Sequence, residues 1–568
     1  MQEALFKPMA ERPFRLAAVL LLATAAFLAY ANTFTGGFVW DDASSVLLHK
    51  HVQDPSKFFQ LFREDQHAFG RGQGNFYRPL VSASFMLDYA LSKPAAGEDL
   101  SPFLFHVTNA AWHALAAILL FALLSRLGAP RFVQVAAAAV YALHPLHTEA
   151  VAYISGRADM MSASFMYAGL YLAARDRAGW GGSVAAGLVA GLCFICALLS
   201  KEAAFIFPLL AGLPIFRPLD EGSRKAAVYA RRSVVLVVSL VILGVYAVLR
   251  STVLHFGTQT TPQSGFGERI VELLQAYALY VRLLIVPTGL HMERTLDGVG
   301  GATAAAGAVL LAATVALTVL AWRSGRRRAA MGLAWFLMTW LPISGLFPLN
   351  APMAEHWMYM PMAGLLLAVA ELAWEFARKP AARQRAGWPY AVVAAAYGLG
   401  VVFLALTVAR NRDWRDNESI FLATLDKNPD STRVRYNLAV TYEDLLHNPW
   451  AARRHYEGVI ASYQEQKRAM LGGGKEEFWD EEIESHLSLG RIYAGRRQYG
   501  DAAEHFSTAM RVAPNQSNGP IRATAAFGLG QCFLATGNSR KALELFKQAA
   551  AGRPELKGDI ERLLAGQI

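Results

Sequence analysis

Residues 14–42 read FRLAAVLLLATAAFLAYANTFTGGFVWDD. The run over 14–32 is long and apolar enough to cross a bilayer, at roughly 20 residues per crossing. A few residues beyond it stand two adjacent carboxylates, Asp41 and Asp42. Charges in that place belong at the membrane–water interface, where a lipid-borne substrate meets a water-borne one. Two readings follow: a catalytic base, or a solvated loop start in which Asp serves as a helix N-cap.

The rest of the chain extends the membrane reading. Hydrophobic residues make up 54% of the 568 and charged residues 17%, against about 25% charged in soluble domains. Apolar runs recur at 104–125, 132–150, 160–177, 183–199, 203–217, 233–250, 303–322, 330–348, 354–376 and 389–409, predicting about eleven spans with the first. The net charge of +10 resides in short basic segments between the runs, so membrane orientation explains it better than nucleic-acid binding. Lys7, Arg12 and Arg15; Arg126 and Arg131; Arg175 and Arg177; Arg224, Lys225, Arg231 and Arg232; Arg326 to Arg328; and Arg378, Lys379, Arg383 and Arg385 all fall in the cytoplasm if the N-terminus does. That assignment keeps 251–302 outside, with the apolar stretch 269–287 lying in the interface. Cys193 and Cys196 form a CxxC inside an apolar run, a poor setting for zinc or redox chemistry.

Beyond Arg410 the chain turns polar and periodic. His486, Leu489, Gly490, Tyr493, Ala502, Phe506, Ala509 and Pro514 hold tetratricopeptide-repeat spacing, and Leu529, Gly530, Phe533, Ala542, Phe546, Ala549 and Pro554 repeat it. A looser copy contains Leu438, Ala439, Tyr442, Ala452 and Tyr456, supplying the third unit such an array needs. A glycine-rich, acidic insertion interrupts the array from Gly472 to Glu482. The expected architecture is all-α: a membrane domain over 1–410 and an extracytoplasmic repeat solenoid over 411–568 that binds peptides or proteins.

Six polar clusters fall at the outer ends of the spans. They are Trp40-Asp41-Asp42; Tyr77-Arg78-Pro79-Leu80 with His106, Asn109 and His113 on one helix face; His144-Pro145-Leu146-His147-Thr148-Glu149 running on to Gly156-Arg157-Ala158-Asp159; Lys201-Glu202; Leu290-His291-Met292-Glu293-Arg294; and Glu355-His356-Trp357-Met358-Tyr359. Each has a structural alternative. His106 and His113 suit packing; His144, His147 and Glu149 evoke zinc but lack the HEXXH order; Arg157 with Asp159, and Lys201 with Glu202, are spaced to pair with each other. Their convergence on one side of the membrane favours function, because ionisable groups there are costly.

The order Trp-Asp-Asp, Tyr-Arg-Pro-Leu, His-Pro-Leu-His-Thr-Glu-Ala-Val-Ala, Gly-Arg-Ala-Asp, Ser-Lys-Glu and Glu-His-Trp-Met-Tyr-Met-Pro resembles the transmembrane and tetratricopeptide-repeat protein O-mannosyltransferases, of the GT-C superfamily. Arg410-Asn411-Arg412-Asp413-Trp414 resembles that family's junction into its repeats, and His356 stands where the family usually has Arg. The resemblance implies a bacterial member in the inner membrane, transferring a sugar, expected to be mannose, from a polyprenyl-phosphate donor to Ser or Thr hydroxyls of secreted or membrane proteins. Asp41 is then the expected base and Asp42 the residue orienting acceptor or sugar. Arg78, Arg157, Lys201 and His356 are the expected phosphate partners, with His106, Asn109, His144, His147, Glu149, Asp159, Glu202, Glu355 and Tyr359 completing the donor site. The family pattern implies no tightly bound cofactor or metal, although adjacent aspartates are a possible Mg2+ or Mn2+ pair. The rival readings are a repeat scaffold with a degenerate sugar site, and a ligase for lipid-linked oligosaccharide or glycolipid.

Overall fold

The computed structural model describes residues 11–70, 76–92, 99–174, 180–213, 225–252, 265–296, 298–346, 349, 351–378, 388–469, 480–512 and 519–566. Of the positions singled out above, Lys7, Arg175, Arg177, Arg224, Lys379, Arg383, Arg385, Pro514 and residues 472–479 lie outside them. Among the described residues the regular structure is helical, and the β-type contact is one isolated bridge between Arg294 and Met353. The chain divides into two compact units, Met1–Asp416 and Asn417–Ile568.

The first unit contains α1 (Glu11–Tyr30), α2 (Pro79–Ser92), α3 (Phe103–Arg126), α4 (Arg131–Leu143), α5 (Thr148–Ala152), α6 (Arg157–Ala173), α7 (Trp180–Leu198), α8 (Phe207–Gly212), α9 (Lys225–Thr252), α10 (Phe266–Ile285), α11 (Gly301–Arg323), α12 (Arg327–Trp340), α13 (Tyr359–Arg378) and α14 (Trp388–Asn411). Seven helical stretches among the described residues are long and apolar enough to cross a membrane: Glu11–Thr33, Phe103–Arg126, Trp180–Leu198, Ser233–Thr252, Gly301–Arg323, Glu355–Arg378 and Ala391–Trp414. The outward residues of α9 and α11 are themselves apolar, among them Leu240, Val241, Val309 and Leu317, a surface that suits lipid and not water.

The other four expected spans are shorter or interrupted helices, and proline stands at the break in two of them. His144 precedes Pro145 and takes an extended backbone (ψ 125°), which ends α4. A 3-10 turn at Glu202–Ile206 precedes α8, whose second residue is Pro208. α12 gives way at Trp340 to the turn Leu341–Ile343 around Pro342. The segment expected to lie in the interface is α10; Tyr277 and Tyr280 on it are buried with Phe336 and Trp340. α12 and α13 meet at Gly332 and Gly364, so closely that a Cβ on Gly364 would stand 2.6 Å from the Gly332 carbonyl oxygen.

The second unit contains α15 (Asn417–Lys427), α16 (Thr432–Val440), α17 (Pro449–Ala469), α18 (Asp480–Gly495), α19 (Tyr499–Val512), α20 (Gly519–Ala535), α21 (Ser539–Gly552) and α22 (Lys557–Leu564). The repeat positions read from the sequence are its core. Ala502, Phe506 and Ala509 are buried, as are Ala542, Phe546 and Ala549. The small residues admit the neighbouring helix and the aromatic fills the gap between repeats.

Candidate active site

The loop after α1 places Asp41 and Asp42 in unlike surroundings. Asp42 is fully buried. One carboxylate oxygen accepts the Val39 N–H at 2.9 Å; the other accepts the Ser155 N–H at 2.8 Å and the Ser155 hydroxyl at 2.7 Å. Burial outweighs these donors and pushes the Asp42 carboxyl up to about 7. Asp42 therefore ties the loop to the turn Ile154–Gly156, where the sequence reading had it orienting acceptor or sugar. Asp41 is only half-buried. Its backbone carbonyl takes the hydroxyls of Ser44 (3.0 Å) and Ser45 (2.9 Å), and its carboxylate is in hydrogen-bond contact with Tyr153.

Trp40, Tyr153 and Trp414 form an aromatic stack beside Asp41. Trp40 and Tyr153 have ring centroids 5.9 Å apart, and Tyr153 and Trp414 5.4 Å. Trp40 has φ of +50°, a conformation bulky side chains avoid at a cost of about 1–3 kcal/mol. Trp414 is held by the end of α14, which α1 clasps: Asn411 donates to Ala29 O (2.8 Å) and Asn32 Oδ1 (2.7 Å), and Asn32 donates to Val408 O (2.9 Å).

A charged nest is drawn from distant segments. Arg78 grips Glu202 with Nε at 3.0 Å and Nη2 at 2.6 Å, and Lys201 Nζ lies 2.6 Å from Asp159 Oδ1. Lys201 and Glu202 thus each pair with a distant residue, and the structural alternative in which they pair with each other does not apply. Arg157 and Asp159 do not pair either. Arg157 is fully buried; Nε donates to Asn109 Oδ1 (2.7 Å), Nη1 to Ser84 Oγ (3.1 Å) and Nη2 to the Phe105 carbonyl (3.0 Å), with Asp88 Oδ2 2.6 Å from Nη1. With every nitrogen engaged and no open face, Arg157 is a buried strut, correcting its place among the phosphate partners. Asn109 has the same role, its amide donating to the carbonyls of Val151, Tyr153 and Ile154.

The expected histidines separate. His106 is buried with Nε2 close to Gly36. His113 is locked between the Tyr359 hydroxyl (2.7 Å) and the Ala142 carbonyl (3.0 Å). His144 donates to Leu284 O at 3.1 Å and accepts from the Leu146 N–H at 3.2 Å, while His147 donates to Tyr141 O at 2.9 Å. Tyr359, fully buried with them, belongs to this packing network instead of a ligand surface. Glu149 turns to His356, whose Nδ1 lies 2.9 Å away. His144, His147 and Glu149 therefore do not converge, and among the described residues no group of three or more His, Cys, Asp or Glu is placed to hold a metal ion.

His356 and Glu149 open a second nest. Glu355 accepts the His291 N–H (2.7 Å) and Arg294 Nη2 (2.9 Å), and Arg410 approaches it at 3.6 Å. The Arg410 guanidinium lies 6.0 Å from the Trp414 ring, so this nest adjoins the far end of the aromatic stack. Arg294 and Arg410 were not among the expected site residues. Arg294 closes the fifth polar cluster and Arg410 opens the junction motif, but neither carries an expected role; an arginine ending an apolar span was the signal available for Arg410.

A tetratricopeptide-repeat family model matches residues 481–555. The chain is 23% identical to the protein O-mannosyl-transferase TMTC3 of Mus musculus over 95% of its own length and 60% of the mouse protein's. It is 25% identical to TMTC4 of the same species over 77% of this chain and 66% of that one, and 35% identical to Tmtc1 of Drosophila melanogaster over 33% of this chain and 21% of the fly protein. Its relatives are protein O-mannosyl-transferases. The chain spans about 60% of the length of the first of them. The similarity to the O-mannosyl-transferases runs through both units, and the aromatic stack and both nests fall inside the aligned length.

Proposed function

We propose that the chain is a multi-pass membrane glycosyltransferase that moves a sugar, mannose by the names of its relatives, from a polyprenyl-phosphate carrier to a Ser or Thr hydroxyl of a protein outside the cytoplasm. The observation that carries this reading is Asp41, half-buried beside an aromatic stack whose far end adjoins Arg294, Arg410 and His356. An alcohol is a weak nucleophile until a positioned base takes its proton. Here the acceptor O–H proton passes to Asp41 as the acceptor oxygen bonds to the anomeric carbon. The bond from that carbon to the phosphate oxygen breaks, its electron pair going to the phosphate, and direct displacement inverts the configuration. Charge growing on the leaving phosphate is met by preorganised cations; Arg78, Lys201, Arg294 and His356, each with its side chain 10–24% exposed, are the candidates. The reading requires no metal. The repeats supply the acceptor's binding surface, which favours a protein acceptor over a lipid-linked oligosaccharide or glycolipid.

The test is purified full-length protein with polyprenyl-phosphate mannose and secreted proteins, read by mass spectrometry for hexose on Ser or Thr. Transfer is expected, and Asp41→Asn should lower turnover by about 100-fold or more while the melting temperature holds. Near-normal turnover in that variant removes Asp41 as base; no transfer to any hydroxyl acceptor removes the reading.

A further inference from the structure

Arg410 and Glu355 face each other in the protein interior across a gap that neither closes. Arg410 is 6% exposed and Glu355 1%. Arg410 Nη1 is engaged by Asp413 Oδ2 at 2.6 Å, whereas its Nε and Nη2 have no hydrogen-bond partner. Glu355 Oε1 accepts from His291 and Arg294, whereas its Oε2 has none. Nη2 and Oε2 form an ion pair with each other at 3.6 Å, beyond hydrogen-bond range. Buried polar atoms left so are uncommon and costly, and an unfilled ligand position is one explanation of them.

The two orphans have opposite needs. Nη2 wants an acceptor and Oε2 wants a donor, so the complementary group both accepts and donates. A phosphate oxygen answers the arginine but repels the glutamate. An alcohol answers both, taking the Arg410 N–H on its lone pair and giving its proton to Glu355. We propose that Arg410 and Glu355 bind one ring hydroxyl of the donor's sugar, so that this nest reads the sugar and not the lipid phosphate. The inference rests on the reading of the donor as a glycosylated polyprenyl phosphate. The pair adjoins Trp414, which stacks on Tyr153, itself in contact with Asp41. The hydroxyl-reading pair and the base therefore stand along one aromatic stack. His356, whose side chain is 24% exposed, and Arg294, at 11%, are more open than Arg410 and Glu355 and lie where the rest of the ring approaches. A site built to hydrogen-bond a hydroxyl discriminates strongly against ligands lacking it, because its own polar groups are then stranded.

The experiment compares binding of polyprenyl-phosphate mannose and bare polyprenyl phosphate to full-length protein in lipid nanodiscs. Wild type should prefer the glycosylated lipid. Glu355→Gln and Arg410→Lys should each reduce that preference by about 10-fold or more, with affinity for the bare lipid within about 2-fold of wild type. On wild type, a series of donors each lacking one ring hydroxyl should contain one member that binds about 10-fold or more weakly; this arm decides the matter even where a variant fails to fold. Equal loss of both lipids in the variants makes the nest a phosphate site and overturns the inference. A deoxy series with no member weakened beyond about 2-fold means a buried water alone occupies the gap, and overturns it too. If wild type shows no preference for the glycosylated lipid, the donor reading itself fails; if the preference exists but survives both variants, only this inference does.

Discussion

Two neighbouring aspartates illustrate how little a motif says about the division of labour within it. Asp42 accepts three hydrogen bonds and is sealed from solvent, while Asp41 keeps an open side. The sequence placed both at the interface but held no sign that Ser155, over a hundred positions away, would claim one of them. The pH dependence of stability tests the assignment. The Asp42 carboxyl titrates at about 7 in the fold against an ordinary 3.8, so between those values the folded state holds a proton that the unfolded state has lost. Stability from that proton is full below about pH 4 and fades as pH rises through about 7. Melting temperatures measured from pH 5 to 8 should fall with a slope that Asp42→Asn flattens. Arg157 makes a second case. Its neighbour Asp159 suggested a local pair, yet the partner is Asp88 on α2, four helices earlier. Because removing one member strands the other in the interior, Arg157→Leu should cost about 3–5 kcal/mol. The loss should appear as a lower melting temperature in detergent. A phosphate contact alone would instead leave the melting temperature unchanged and raise KM.

Helices were legible where one rule decided them. The long runs 104–125 and 303–322 correspond to α3 and α11 almost end to end, because twenty apolar residues have no cheaper arrangement in lipid. The runs 132–150, 203–217 and 330–348 came out interrupted. Hydropathy alone counts residues and is blind to Pro145, which turns His144 out of the helix, and to the 3-10 turns Glu202–Ile206 and Leu341–Ile343. The repeat helices were legible to the individual position, since Phe506 and Phe546 are core residues dictated by a period. Which helices touch was not legible, because membrane helices associate through shape and not through hydrophobic contrast. The contact at Gly332 and Gly364 is such a case. A side chain on Gly364 meets the Gly332 carbonyl oxygen and the Phe336 nitrogen, both backbone atoms that cannot step aside. Gly364→Val should therefore separate α12 from α13 and cost about 1–3 kcal/mol or more. An exposed control on the lipid face, Val309→Ala, should stay within about 0.5 kcal/mol; comparable melting temperatures for the two variants would contradict the close crossing.

At the scale of the molecule, the proposed function puts catalysis and acceptor choice in different units. The repeat unit contains packing positions and a polar surface, whereas every expected site residue lies before Asp416. Orientation is the first thing this division requires. With basic segments inside, reporter fusions after Arg326 should read cytoplasmic and fusions after Asn428 should read outside; a cytoplasmic repeat unit would separate acceptor binding from Asp41 by the width of the bilayer. The second requirement is energetic. A binding surface remote from the reacting hydroxyl lowers the barrier by holding the acceptor, not by altering the chemistry at the anomeric carbon. Ending the chain at Asp416 should therefore leave slow transfer to a short Ser/Thr peptide close to the full-length rate, while the full-length preference for a folded acceptor over that peptide falls about 10-fold or more. Comparing both proteins on both acceptors gives four rates, and their ratio isolates the contribution of the repeats from any general loss of active protein. If truncation lowered both rates equally while the membrane unit kept its melting temperature, the repeats would contribute to the chemistry itself, and the division between the two units would be wrong.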